Sequence, residues 1–122
     1  IVVALSSNGT SSDFQLAEKE GKPLYQVVME KMMSISTPEN MMFVVGATKA
    51  DKLAEIRQFC PDNFFLVPGV GAQGGSAEEV IANGSNSKGG LLINSSRGII
   101  YASQGEDFAE AAAKSAENTA RI

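Results

Sequence analysis

Histidine is absent from the 122 residues, and cysteine occurs once, as Cys60. Without an imidazole the chain cannot supply a histidine base, a Ser-His-Asp triad or a histidine-ligated metal. A single thiol excludes an internal disulfide and a thiolate metal cluster, and it fits a reducing, cytoplasmic compartment. Positive charge is sparse. Ten Lys and Arg stand against fourteen Asp and Glu, for a formal net charge of −4, and the basic residues form no block. Nucleic acid and anionic membrane surfaces are therefore not expected as partners. No apolar run approaches the roughly 20 residues that a bilayer demands, and no signal-type segment is read. Any chemistry falls to carboxylates, lysines, arginines, hydroxyls and backbone dipoles.

What is present is ordinary globular composition, 43% apolar and 20% charged, at a length that suits one domain. Four near-continuous apolar runs, residues 1–7, 42–48, 64–70 and 90–96, read as strands of a parallel sheet with both faces covered. Helical patterns lie between and after them. Residues 13–34 carry one that Gly21 and Pro23 interrupt. Residues 50–59 place Leu53, Ile56 and Phe59 on one face. Residues 76–83 begin with a capping Ser76 and acidic Glu78 and Glu79, and residues 106–121 are alanine-rich. The order βαβαβαβα predicts an α/β fold. Two architectures accommodate it: a small doubly wound sheet, or half of a (β/α)8 barrel. Because residue 1 already opens a strand, with no initiator Met, the chain is expected to be a fragment.

In either architecture ligands sit where strands end and helices begin. After the first strand come Ser6-Ser7-Asn8-Gly9-Thr10-Ser11-Ser12-Asp13, a turn of hydroxyls that also reads as a helix cap. After the second come Gly46-Ala47-Thr48-Lys49, small enough for a ligand or a neighbouring backbone to approach. Lys49 and Lys52 could be catalytic, although a solvated helix start explains them better. After the third comes Pro68-Gly69-Val70-Gly71-Ala72-Gln73-Gly74-Gly75, able to turn backbone N–H groups toward an anion. It matches G-x-G-x-x-G at Gly69, Gly71 and Gly74. Yet it follows the third strand, Pro68 precedes it, and no acidic residue ends the next strand, so the dinucleotide fingerprint lacks its context. After the fourth comes Asn94-Ser95-Ser96-Arg97-Gly98. Arg97, one of three arginines, has the planar fork that suits a phosphate.

The third and fourth loops, with Arg97-Gly98-Ile99-Ile100-Tyr101-Ala102 completing the last, resemble orotidine 5'-phosphate decarboxylase. Val44-Val45-Gly46-Ala47-Thr48, Ser7-Asn8 and Asp13-Phe14-Gln15 resemble its longer bacterial subgroup, and the likeness runs in order along essentially the whole chain. The resemblance implies the C-terminal half, strands five to eight, of a (β/α)8 TIM barrel, with residues 1–122 as a single-domain fragment. It implies a cytoplasmic homodimer when complete, which converts orotidylate to UMP and CO2 in pyrimidine biosynthesis with no metal or organic cofactor. Gln73 and Arg97 would contact the substrate phosphate, joined by backbone N–H groups of Ser96 and Arg97. Ser7 would match the hydroxyl that bonds the pyrimidine ring. The loop containing Pro68, Gly69, Gly71, Gly74 and Gly75 would be the lid.

Two departures matter. The subgroup's S-N-P-G-S turn reads Ser7-Asn8-Gly9-Thr10-Ser11 here. The family's catalytic Asp-x-Lys-x-x-Asp cluster is missing: none of Asp13, Asp51, Asp62 and Asp107 is followed two positions later by Lys. No catalytic residue is therefore assigned, and the isolated chain is expected to be inactive, partnered by the missing N-terminal half of the barrel. Two other readings remain: a Rossmann-like NADP-binding fragment of an oxidoreductase, with Arg97 on the 2'-phosphate, and a non-enzymatic phosphate-binding or assembly module.

Overall fold

The computed structural model describes residues 1–71 and 74–122. The four expected strands form, each a little shorter than its apolar run: β1 (Val2–Leu5), β4 (Met42–Val45), β5 (Phe64–Pro68) and β6 (Leu91–Asn94). Between the first two lie α1 (Ser11–Phe14), a two-strand hairpin of β2 (Glu18–Lys19) and β3 (Lys22–Pro23), and α2 (Leu24–Met33). The hairpin takes the place of a continuous first helix. Its two turn residues, Glu20 and Gly21, have φ of 56° and 78°, the left-handed pair that a two-residue hairpin turn requires. Pro23, lacking an amide proton, then opens α2 where no helical donor is needed.

A 3-10 turn (Ala47–Lys49) leads into α3 (Ala50–Phe59), and α4 (Ala77–Gly84) follows β5. Ser76 caps α4 by accepting from the Glu79 N–H at 3.2 Å. After β6 come a single turn, α5 (Arg97–Ile100), and α6 (Phe108–Ala120). No described helix is long and apolar enough to cross a membrane.

The sheet is parallel throughout, in the order β1-β4-β5-β6. Each crossover moves one strand along in the same direction, and right-handed crossovers that never reverse put their helices on one face. The core records this. Leu5, Phe43, Val45, Phe65 and Val67 of the sheet are buried with Tyr25 and Met29 of α2, Leu53 and Ile56 of α3, and Ala77 and Val80 of α4. The reversal of strand order that marks a doubly wound sheet is absent among the described strands.

The opposite face differs from expectation. Val3 pairs with Val44, Val44 with Leu66 and Leu66 with Leu92, an apolar row across all four strands. Val3 is 58% exposed and Leu92 52%, with Val44 and Leu66 half-buried between them. The sequence reading of two covered faces is therefore corrected. The strands are apolar on both faces, but the described helices cover only one.

Candidate functional site

The carboxyl ends of the four strands lie along one edge of the sheet, and their loops interlock there. The Gly46 N–H donates to the Leu5 carbonyl at 2.7 Å, continuing the β1–β4 ladder past its last pair. A β-carbon on Gly46 would overlap the backbone of Ser7, so only glycine permits this approach. Thr48 Oγ1 donates to the Ser7 carbonyl at 2.6 Å. The small residues after the second strand of the sheet thus admit a neighbouring backbone.

The next contact is similar. A β-carbon on Gly75 would overlap that of Ala47, so the glycine-rich loop packs against the same turn. This loop folds on itself: Gly74 N–H donates to Gly71 O at 2.8 Å, Gly71 N–H to Gly75 O at 2.9 Å, and Gly75 N–H to Gly69 O at 3.2 Å. Gly69, Gly71 and Gly74 all have positive φ, between 76° and 96°, which glycine adopts without a steric cost. The G-x-G-x-x-G match therefore builds a closed turn before α4. The expected phosphate contact Gln73, with Ala72, lies outside the described residues.

On the far side, Ser95 Oγ donates to Val70 O at 3.4 Å and joins the third loop to the fourth. Between them residues 68–70 and 94–97 line an open hollow of about 250 Å³. Pro68, Gly69, Ser96 and Arg97 therefore line one hollow. Among the described residues no carboxylate lines it. Arg97 is exposed, with its guanidinium the only formal charge among the lining residues. Ser96 Oγ donates to Asn94 Oδ1 at 3.2 Å. A neutral rim, flexible-φ backbone and one guanidinium suit a small oxyanion.

Ser7 is half-buried in the loop after β1 and is not among the residues lining that hollow. It stands two loops away along the same edge, linked through Gly46, Ala47 and Gly75. Its neighbour Ser6 is committed to the turn: Ser6 N–H donates to Gln15 Oε1 at 2.8 Å, and Ser6 Oγ to Asn8 Oδ1 at 2.6 Å.

The other reactive groups fall away from this edge or into local pairs. Lys52 bonds Glu55 at 2.9 Å on α3, which holds its ammonium above the usual lysine range. Cys60 is fully buried at the other end of α3, with Sγ donating to Asn63 Oδ1 at 3.3 Å. Burial pushes the thiol up to about 11. A larger hollow of about 370 Å³, lined by Glu39, Met42, Asp62, Phe64 and Lys88, opens at the amino ends of β4 and β5. Its carboxylates and its place at the opposite end of the sheet set it apart from the loop edge. The sequence reading placed Thr48, Asn94 and Ser95 in strand-end loops without giving any of them a role. The signal for Thr48 was the Gly46-Ala47 pair beside it, a mark of close backbone approach.

No protein-family model matches the chain. Curated relatives do. It is 53% identical over 116 residues to orotidine 5'-phosphate decarboxylase of Flavobacterium johnsoniae, covering 95% of this chain and 42% of that protein. It is 56% identical over 117 residues to the enzyme of the same name from Christiangramia forsetii, covering 96% and 43%. Among solved structures, Leishmania donovani UMP synthase matches with a TM-score of 0.80 at 35% identity, over 98% of this chain and 27% of that one. The Leishmania donovani OMP decarboxylase structure matches with a TM-score of 0.76 at 31% identity, over 98% and 46%. The chain is thus homologous to part of orotidine 5'-phosphate decarboxylase, and it spans about two fifths of the length of the curated relatives it matches.

Proposed function

We propose that this chain is the phosphate-gripping, C-terminal half of an orotidine 5'-phosphate decarboxylase barrel, strands five to eight, as one domain over residues 1–122. The observation that carries the reading is the gathering of the glycine-rich loop and Arg97 around one carboxylate-free hollow at the carboxyl edge of the sheet. Sequential parallel strands with helices on one face, and an apolar row on the other, support a barrel segment.

In this reading Arg97 and Gln73 bind the phosphate of orotidylate or UMP, with backbone N–H groups of Ser96 and Arg97. Ser7 bonds the pyrimidine ring. The loop containing Pro68, Gly69, Gly71, Gly74 and Gly75 closes as a lid. Each charge-assisted hydrogen bond to phosphate contributes about 1.5–3 kcal/mol. Binding energy gathered far from the reacting carbon can exclude water and assemble the charged site. That site is not in this chain, which has no Asp-x-Lys-x-x-Asp. Loss of CO2 leaves a carbanion that a positioned acid must protonate, so the 122 residues alone bind without turning over. The other half of the barrel is the expected partner, in a cytoplasmic homodimer.

Titration of the chain with UMP and with NADPH tests the reading. Saturable UMP binding, no comparable NADPH binding, and recovery of CO2 release when the missing half is added are the expected results. Tighter binding of NADPH than of UMP would overturn it in favour of a dinucleotide site, for which the sheet offers no reversal of strand order. UMP binding with no recovery of turnover would leave a binding module in place of a decarboxylase half.

A further inference from the structure

Of the strand-end loops, Gly46-Ala47-Thr48 has no part in the function proposed above, yet it packs closely against the turn after β1. Three observations converge on Ser7. The Gly46 N–H bonds Leu5 O at 2.7 Å, the absent Gly46 side chain lets the Ser7 backbone sit against it, and Thr48 Oγ1 bonds Ser7 O at 2.6 Å. The last joins residues 41 apart in sequence. The turn after β1 lacks the proline of its family pattern, and within it Ser12 Oγ donates to Gly9 O at 3.1 Å. The loop after β4 thus packs against Ser7 and bonds it across the edge.

We propose that Thr48 is a positioning residue that aims Ser7 at the base of a pyrimidine nucleotide, acting through the Ser7 carbonyl and not by touching the ligand. The inference rests on the nucleotide-binding reading given above. The hydroxyl of Thr48 holds the peptide that follows Ser7, and so it sets the rotation of the Ser7 backbone from which the side chain projects. The phosphate hollow, lined by residues 68–70 and 94–97, does not include Thr48. The two ends of a nucleotide are thus governed by different residues, and this separates the proposal from a general effect on folding.

The test compares Thr48→Val, which keeps shape and removes the donor, with Thr48→Ser, which keeps the donor. Each is titrated with UMP and with inorganic phosphate beside the wild-type chain. Thr48→Val should weaken UMP about fivefold, as expected for one hydrogen bond, and leave inorganic phosphate within about twofold. Thr48→Ser should restore UMP binding to within about twofold. Equal weakening of UMP and phosphate by Thr48→Val overturns the proposal, as does unchanged UMP binding in that variant. A wild-type chain that binds phosphate no more weakly than UMP also overturns it, because the base then adds nothing for Ser7 to hold. Failure of the wild-type chain to bind either ligand sinks the nucleotide reading itself, and the proposal with it.

Discussion

The guanidinium of Arg57 lies 3.8 Å from the centre of the Phe65 ring, stacking a cation of α3 on the second strand from the sheet's β6 edge. Its nitrogens donate to five backbone carbonyls: Gly84 at 2.6 and 2.8 Å, Asn63 at 2.8 Å, Cys60 at 3.0 Å, Pro61 at 3.1 Å and Gly90 at 3.2 Å. These carbonyls belong to the ends of α3 and α4 and to the entries of β5 and β6. A planar five-donor group is the one side chain that can serve so many acceptors at once. Arg57 therefore ties together the elements that carry the third and fourth loops, from the end of the sheet opposite the hollow.

Arg57→Ala should cost about 2–4 kcal/mol of unfolding free energy, the loss of several charge-assisted bonds and a cation–π contact. Arg57→Lys should recover less than half of this, since an ammonium cannot span the five carbonyls. Urea denaturation followed by circular dichroism measures both. Stability within about 0.5 kcal/mol of wild type in Arg57→Ala would show the cluster to be inconsequential.

Arg97→Ala separates function from folding in the opposite way. The side chain is exposed and its helix contributes no buried residue, so stability should hold within about 0.5 kcal/mol. Affinity for UMP should fall at least about tenfold, the worth of one charge-assisted bond, and the wild-type affinity should weaken with added salt more than the variant's. Isothermal titration at two salt concentrations reads both. Unchanged affinity removes Arg97 from the site.

Gly46→Ala is expected to be among the most damaging small substitutions in the chain. The new methyl would overlap Ser7 backbone, not a side chain that could turn aside, and overpacking of this kind costs about 1–3 kcal/mol. Gly9→Ala, where a β-carbon meets open space, serves as the control. A melting temperature equal to the control's would contradict the close approach.

How far the sequence could be read follows from these residues. The existence of the four parallel strands was legible because runs such as Met42–Val45 and Phe64–Pro68 are apolar, β-branched or aromatic and bounded by turn residues, although each strand ends short of its run. That the loops after β5 and β6 lie at one edge was legible because parallel strands send their following loops to the same end of the sheet. The hairpin at Glu18–Pro23 was not. Its two-residue strands are polar, and only Gly21 hinted at the left-handed turn. Nor was the bare face, since an apolar strand records that both faces are suited to burial and not which one this chain covers. The bonds made by Thr48 and Arg57 were illegible for a related reason. Each acts on backbone carbonyls distant in sequence, and a carbonyl leaves no mark in the residue alphabet.

The bare row should govern self-association. Val3 and Leu92 lie more than half exposed at the two edge strands, where unpaired backbone already invites other chains. Replacing both, as Val3→Thr with Leu92→Lys, should leave stability nearly unchanged and shift the chain toward monomer in size-exclusion chromatography at raised concentration. Unaltered elution with proven self-association in the wild type would place the contact elsewhere.

Alkaline pH should destabilise the fold through Cys60. The thiol is fully buried, and burial raises its pKa from 9.0 to about 11, chiefly because the thiolate would lose its hydration. Below pH 9 the thiol is neutral in both states and contributes no pH dependence. Between pH 9 and 11 the unfolded chain gives up the proton while the folded chain keeps it, so the unfolded state binds fewer protons and stability falls as pH rises. Two units correspond to about 2–3 kcal/mol lost by pH 11. Cys60→Ala opens a small void and lowers the starting stability, but it should remove most of this slope. Denaturation midpoints measured at pH 8, 9.5 and 10.5 for both proteins test the sign directly. Parallel curves for wild type and Cys60→Ala would assign the alkaline loss to other groups.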